Sequence, residues 1–198
     1  MNKLIALAIG VVAVALSAFT TPGKPVSANV DTKSSYINWK AYKVTGQHEG
    51  RLQLKNGKLN FKDNILTGGS FEIDMNTITC TDMTGGGAEK LVGHLKSEDF
   101  FNVANHPIAK FETTQVVSRG TPGAYKLIGN LTIKGITKSI KFNADLKEDG
   151  GKVTATAKVT VDRADFDIRF GSGSFFDNLG DKTIYDEFDL NVNLVASK

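Results

Sequence analysis

The side chains that could do chemistry are few and scattered. Three histidines are present, His48, His94 and His106, and a metal centre needs three or four ligands brought together. No two of them have the spacing of a helical or hairpin ligand pair, so each is expected to be a hydrogen-bonded or surface imidazole. Ser97-Glu98-Asp99 lies close after His94 and superficially offers a hydroxyl–imidazole–carboxylate relay. No Gly-x-Ser-x-Gly elbow presents the hydroxyl, however. Asp162, Asp165 and Asp167 surround Arg163 and could pose as a carboxylate pair for glycosyl transfer. If the strand through Val161 continues, Asp165 and Asp167 share a face with Arg163, and a surface ion-pair ladder is the simpler expectation. Gly85-Gly86-Gly87 and Gly171-Ser172-Gly173 are glycine-rich, yet neither follows a strand and opens a helix beside a Lys-Ser/Thr pair, so a phosphate cradle is weakly supported. Cys80 is the one cysteine, which excludes a disulfide framework and every multi-cysteine metal site. It sits in a turn-rich stretch, where a solitary thiol is expected. No catalytic signature and no metal site emerges from these residues.

Composition narrows the classes further. The chain has 198 residues with 24 Lys and Arg against 21 Asp and Glu, a length that fits one domain or two small ones. Lys3 and Lys24 fall in the first 28 residues, which contain no acid, so the remainder holds 22 basic against 21 acidic residues. A near-neutral body without a Lys/Arg cluster argues against nucleic-acid binding, which depends on neutralising phosphates. Residues 1–28 read as a secretory signal peptide: one basic residue, an apolar run from Leu4 to Leu16, then small residues. That run is too short to span a bilayer. Two small-x-small cleavage sites fit, after Ser17 and after Ala28, leaving residues 29–198 as a single exported domain, periplasmic or secreted. No cysteine stands near the end of the leader, so a lipoprotein anchor is excluded.

From about Val30 the dominant period is two. Ile37/Trp39/Ala41, Leu52/Leu54, Leu59/Phe61, Phe71/Ile73/Met75, Leu127/Gly129/Leu131, Ile140/Phe142/Ala144, Val153/Ala155/Ala157/Val159 and Phe188/Leu190/Val192/Leu194 each alternate with polar neighbours. Such alternation describes antiparallel strands with one buried and one wet face. Turn signals are read at Asn56-Gly57, Gly68-Gly69, Pro122-Gly123, Lys134-Gly135 and Asp149-Gly150-Gly151. Eight or more long single-faced strands must close into a barrel or pack as a sandwich. Ala88–Phe101 breaks the alternation, with Leu91, Val92 and Leu95 at helical spacing, and predicts a short helix or two inserted between strands. Phe100-Phe101 is expected to plug one end or line an opening, and Arg169–Lys182 forms a second non-periodic segment.

The inward faces mix large side chains (Trp39, Phe61, Phe71, Phe111, Phe142, Phe188) with very small ones (Ala41, Gly50, Gly129, Ala144, Ala155, Ala157). Small residues could leave volume for a ligand, since an eight-stranded barrel is about the size that holds one. They could equally make room for the bulky ones, as tapering barrels do. The pattern leaves both readings open.

Five blocks in order carry a resemblance. They are Ser35–Gly50 (SYINWKAYKVTGQHEG), His94–Phe101 (HLKSEDFF), His106–Thr114 (HPIAKFETT), Gly129–Lys138 (GNLTIKGITK) and Val161–Ile168 (VDRADFDI). Together they resemble the YceI-like family of periplasmic polyisoprenoid-binding proteins, along essentially the whole chain after the leader. Cys80–Glu89 departs from the pattern by its triple glycine. The resemblance implies an all-β fold: an extended eight-stranded antiparallel lipocalin-like barrel with a helix or two by its opening. Inside it would run a tunnel for an amphiphile with an isoprenoid or alkyl tail, of polyprenyl or quinone type, bound without being transformed. By position, the tunnel-lining candidates are Ile37, Trp39, Leu52, Phe61, Phe71, Ile73, Leu95, Phe100, Phe101, Phe111, Leu127, Leu131, Phe142, Ala155, Ala157 and Phe188. His94, Lys96 and Ser97 are head-group candidates. A bound lipid is the expected ligand, with no other cofactor; transient membrane contact and a homodimer are the further partners implied. The rival readings are an enzyme acting on such a lipid and an interaction or stress-response module in which the lipid is structural.

Overall fold

The computed structural model describes residues 24–198; residues 1–23 of the expected signal peptide, with the Ser17 cleavage site, lie outside them. The described residues form nine strands: β1 (Val26–Val30), β2 (Tyr36–Lys43), β3 (Gly46–Lys62), β4 (Ile65–Cys80), β5 (Ile108–Ser118), β6 (Ala124–Ile133), β7 (Ile136–Asp149), β8 (Lys152–Asp162) and β9 (Ile184–Ser197). One helix, α1 (Gly86–Lys96), is inserted between β4 and β5. All pairings are antiparallel. They run β3-β2-β9-β8-β7-β6-β5-β4 and close through β3–β4 into an eight-staved barrel. β1 and β2 share one stave: β1 pairs with the far ends of β3 and β9, β2 with their near ends. At the break between them the ladder is mended by Ser35. Its hydroxyl donates to Val195 O (3.2 Å) and accepts from Val195 N–H (2.9 Å), and the residue is 1% exposed.

Three tight turns hold the long hairpins. Asp63-Asn64 (φ 54° and 61°), Lys134-Gly135 (52° and 77°) and Gly150-Gly151 (55° and 83°) each place two successive residues in the left-handed region. That geometry matches the twist of the flanking strands. The Asn56-Gly57 and Gly68-Gly69 turn signals are corrected by the structure, because both pairs lie inside strands. Gly57 and Gly69 serve Phe71 instead: a Cβ on Gly57 would sit 2.6 Å from the Phe71 ring, and one on Gly69 3.1 Å from it. β3 shifts register beside Asn56, whose amide donates to Glu72 Oε2 at 2.8 Å. The bulge falls at Lys55, and Gly57, paired with Phe71 in regular register, leaves room for its aromatic ring.

The two ends are closed differently. At the far end Ala28, Leu59, Phe61, Leu66, Leu127, Ala144, Val153 and Ala196 form a compact cluster. Lys198 lies over the Phe61 ring at 4.4 Å and is held by Glu148 at 2.7 Å. At the near end α1 spans Gly86–Lys96 rather than reaching Phe101; it stops at Ser97, whose hydroxyl donates to His94 O, and the chain then turns repeatedly to Val103. Leu95, Phe100 and Val103 are buried there with Phe166 and Ile168.

Candidate functional site

Arg163 overturns a second expectation. β8 stops at Asp162, whose side chain accepts from Ala164 N–H and starts a short 3-10 turn over Arg163–Phe166. Arg163 is therefore not on a surface ladder. It is 4% exposed, and its guanidinium donates to four carbonyls: Tyr185 (3.2 Å), Ile168 (2.9 Å), Phe170 (2.8 Å) and Ile184 (3.0 Å). Asp186 Oδ1 lies 3.2 Å away, as a charge contact without hydrogen-bond alignment. Burial pulls the guanidinium below its ordinary value, and the charges of Asp186 and Asp162 pull it back. This arginine ties the segment after β8 to the start of β9. Of the neighbouring carboxylates, Asp165 faces Lys138 at 3.7 Å and Asp167 pairs with Arg169.

The other reactive side chains are also occupied. The Ser97 hydroxyl is bonded to the His94 carbonyl, not to its ring. The His94 ring meets Asp99 at 3.2 Å and stands edge-on to Phe100 and Phe170, 4.9 and 4.5 Å between centroids. Lys96 Nζ donates to Asn76 O at 2.7 Å. Cys80 ends β4, and its thiol donates to Asp82 Oδ1 at 3.1 Å. Burial, then the Asp82 contact, pushes that thiol up, away from thiolate. Burial also pushes Asp82 up, but hydrogen bonds from Glu49 N–H, Cys80 and His48 outweigh it and hold the carboxyl at about 2. Among the described residues no group of three or more His, Cys, Asp or Glu is placed to hold a metal.

What the barrel does enclose is apolar space. A far cavity is lined by Leu54, Phe71, Phe111, Leu127, Phe142, Ala144, Ala155, Ala157, Leu194 and others, with Thr156 the one polar residue. A near cavity is lined by Trp39, Ala41, Leu52, Met75, Leu95, Phe100, Phe101, Phe188 and others, with Arg163 and Tyr185 at its polar end. Ile37, Ile73, Leu131 and Leu190 wall both, so the two are consecutive stretches of one bore. Each stretch encloses a cavity of about 100 Å³.

Fifteen of the sixteen tunnel candidates wall one stretch or the other; Phe61 lies instead in the far-end cluster. His94, Lys96 and Ser97 wall neither. Leu54, Ile140, Val159, Leu190, Val192 and Leu194 also line the bore, and the same alternation that marked their neighbours marks them. Arg163 and Tyr185 carried no such signal, because the alternation stops before one and starts after the other.

The small residues divide into two jobs. The interior glycines are filled by rings: a Cβ at Gly50 would lie 2.7 Å from Trp39, and one at Gly129 2.5 Å from Phe111. The alanines Ala41, Ala144, Ala155 and Ala157 face the bore.

The family model for the YceI-like domain matches residues 29–196. The chain belongs to the YceI-like family. A UPF0312 protein of Shewanella denitrificans is 33% identical over 101 residues, 51% of this chain and 50% of that protein. One from Vibrio parahaemolyticus is 26% identical over 161 residues, 78% of this chain and 79% of that protein. The chain thus spans about half the length of the Shewanella relative that it matches. Among solved structures, Burkholderia cenocepacia BcnA superposes with a TM-score of 0.70 at 20% identity, covering 85% of this chain and 99% of that one. A polyisoprenoid-binding domain from Saccharophagus degradans superposes with 0.62 at 12% identity, covering 88% and 99%. At those identities the likeness shows the YceI-like barrel.

Proposed function

We propose that this YceI-like protein is an exported carrier that holds a long isoprenoid or alkyl lipid in its bore and does not transform it. The observation that carries the reading is the pair of adjoining apolar cavities along the barrel, walled by hydrocarbon except at Thr156, Arg163 and Tyr185. The polyisoprenoid-binding description of the Saccharophagus neighbour supports the same ligand class. Each methylene taken out of water gains ~0.8 kcal/mol. About ten buried methylenes give roughly 8 kcal/mol gross, which is micromolar before ordering costs are met. Retention therefore requires a tail long enough to occupy both stretches. Turnover needs a general base or nucleophile within reach of the bound molecule, and the Ser97, Cys80 and His94 groups are engaged elsewhere.

Mass spectrometry of organic extracts from the purified protein tests this. One polar-headed long-chain lipid per chain is expected; extracts without lipid, or a lipid recovered in modified form after incubation, would contradict it. The intact mass of the same sample is expected to start at Ala18. Ala28 is fully buried and pairs with Leu59, so a cut after it would strip three residues from β1.

A further inference from the structure

The barrel wall is not sealed all round. β7 runs from Ile136 and β8 ends at Asp162, yet their pairing extends only from Asn143–Lys158 to Asp149–Lys152. The first half of β7 and the last residues of β8 thus face each other without ladder bonds. Backbone groups on such a seam must be satisfied by water. The seam is bounded at one end by the Asn143–Lys158 pair and at the other by the Lys138–Asp165 contact at 3.7 Å. Those bounds lie five residue steps apart along β7, about 16 Å of strand. The inward side chains alongside it, Ile140, Phe142 and Ala157, are only half-buried, although they wall the far cavity. An open groove on the outer surface shares Phe142, Thr156, Ala157 and Val192 with that cavity.

A second seam, β4–β5, is also incompletely paired, since its ladder stops at Ser70–Glu112. There Leu66 stays 2% exposed, and Thr113 Cβ comes within 3.9 Å of where a Gly68 Cβ would stand. That seam is packed shut. At the β7–β8 seam the far cavity and the outer groove are separated only by side chains that they share.

We infer that the β7–β8 seam is a lateral window through which a lipid tail passes sideways into the bore, its polar head remaining in the outer groove. The inference rests on the carrier reading above. The groove suits a polar or anionic head: it presents Arg119, Lys141 and Lys158 against one acid, Asp145. Arg119 is paired with Asp145 and Lys158 with Asp189, while Lys141 has no ion-pair partner among the described residues. Lateral passage also spares the lipid from threading the near end, where α1, Phe100 and the Arg163 clamp close the barrel.

The test uses all-trans-retinol, a fluorescent isoprenoid alcohol, with uptake followed by quenching of the single tryptophan, Trp39, which walls the near cavity. In a Cys80→Ser background, Ser139→Cys, exposed on the window rim and outside the groove, is coupled to a bulky polyethylene-glycol maleimide; Lys55→Cys on β3 is the control. The rim label is expected to slow both uptake and release at least about tenfold with the Kd unchanged, and the Lys55 label to do neither. Unchanged rates with the rim label, alongside slowing by a label on Tyr185→Cys at the near end, would overturn the window and place the route at that end. Failure of the unlabelled protein to take up retinol or the lipid found by extraction would instead sink the carrier reading, and the window with it.

Discussion

The two stretches of the bore are built on different principles. The far stretch is a product of strands alone: alternation points Leu54, Phe71, Phe142 and Leu194 inward, glycines receive the rings, and alanines set the width. The near stretch is closed by non-periodic chain, namely α1, the turns after it, and the segment after β8 that one buried arginine holds in place. A wall made by periodic residues has its strength spread over many contacts. A cap made by one clamp concentrates it, and substitutions in the two regions should therefore differ in size and kind.

The largest effect is expected at the clamp. Arg163→Ala leaves the carbonyls of Ile168, Phe170, Tyr185 and Ile184 without this donor and Asp186 without its cation. Breaking a buried pair of this kind costs about 3–5 kcal/mol, read as a fall in the urea midpoint. A loss below about 1 kcal/mol would show that the cap is held by packing alone. A middling effect belongs to the wall. At Gly50→Ala the added methyl would stand 1.8 Å from Thr79 O and 2.7 Å from Trp39. Moving the Thr79 carbonyl and displacing that ring is expected to cost about 1–3 kcal/mol and to shift tryptophan emission. Unchanged emission and stability would mean that the glycine is not there for the ring.

The smallest effect is electrostatic and lies at the β3–β4 edge. Asp82 is held at about 2, below its ordinary 3.8. A depressed carboxyl stabilises the fold above its unfolded pKa, and that contribution is lost as pH falls through the folded value. Chemical-denaturation midpoints should therefore drop between about pH 4 and pH 2, and drop less steeply in Asp82→Asn. Equal slopes in the two proteins would remove Asp82 from the acid response.

Alternation made the barrel and the strand residues that line it legible, because a half-buried antiparallel strand leaves a period-two imprint on side-chain polarity; Leu95, Phe100 and Phe101 lie in the segment that breaks it. Asn56-Gly57 misled for a physical reason: the glycine that favours a turn is here the residue that leaves room for the Phe71 ring across the strand pair, a contact absent from the local sequence. Whether the small residues leave a void was undecidable from pattern, since a glycine under a ring and an alanine facing a channel look alike in a chain of letters. Arg163 was misread because its partners are backbone carbonyls from two distant segments, which no local spacing records. The head-group candidates were carried by resemblance, and His94, Lys96 and Ser97 point their polar atoms at Asp99, Asn76 and a helix carbonyl instead of the bore.

The central claim is that the bore holds the tail, and Ala155 tests it most directly. It is 6% exposed, walls the far stretch and takes no part in the outer groove. Ala155→Phe puts a ring across the channel without touching the window or the cap. Lipid recovered per chain, measured by mass spectrometry beside a circular-dichroism spectrum, should fall to a small fraction of the wild-type amount while the β-sheet signal is retained. A folded Ala155→Phe protein carrying as much lipid as wild type would show that the interior is not where the lipid lies.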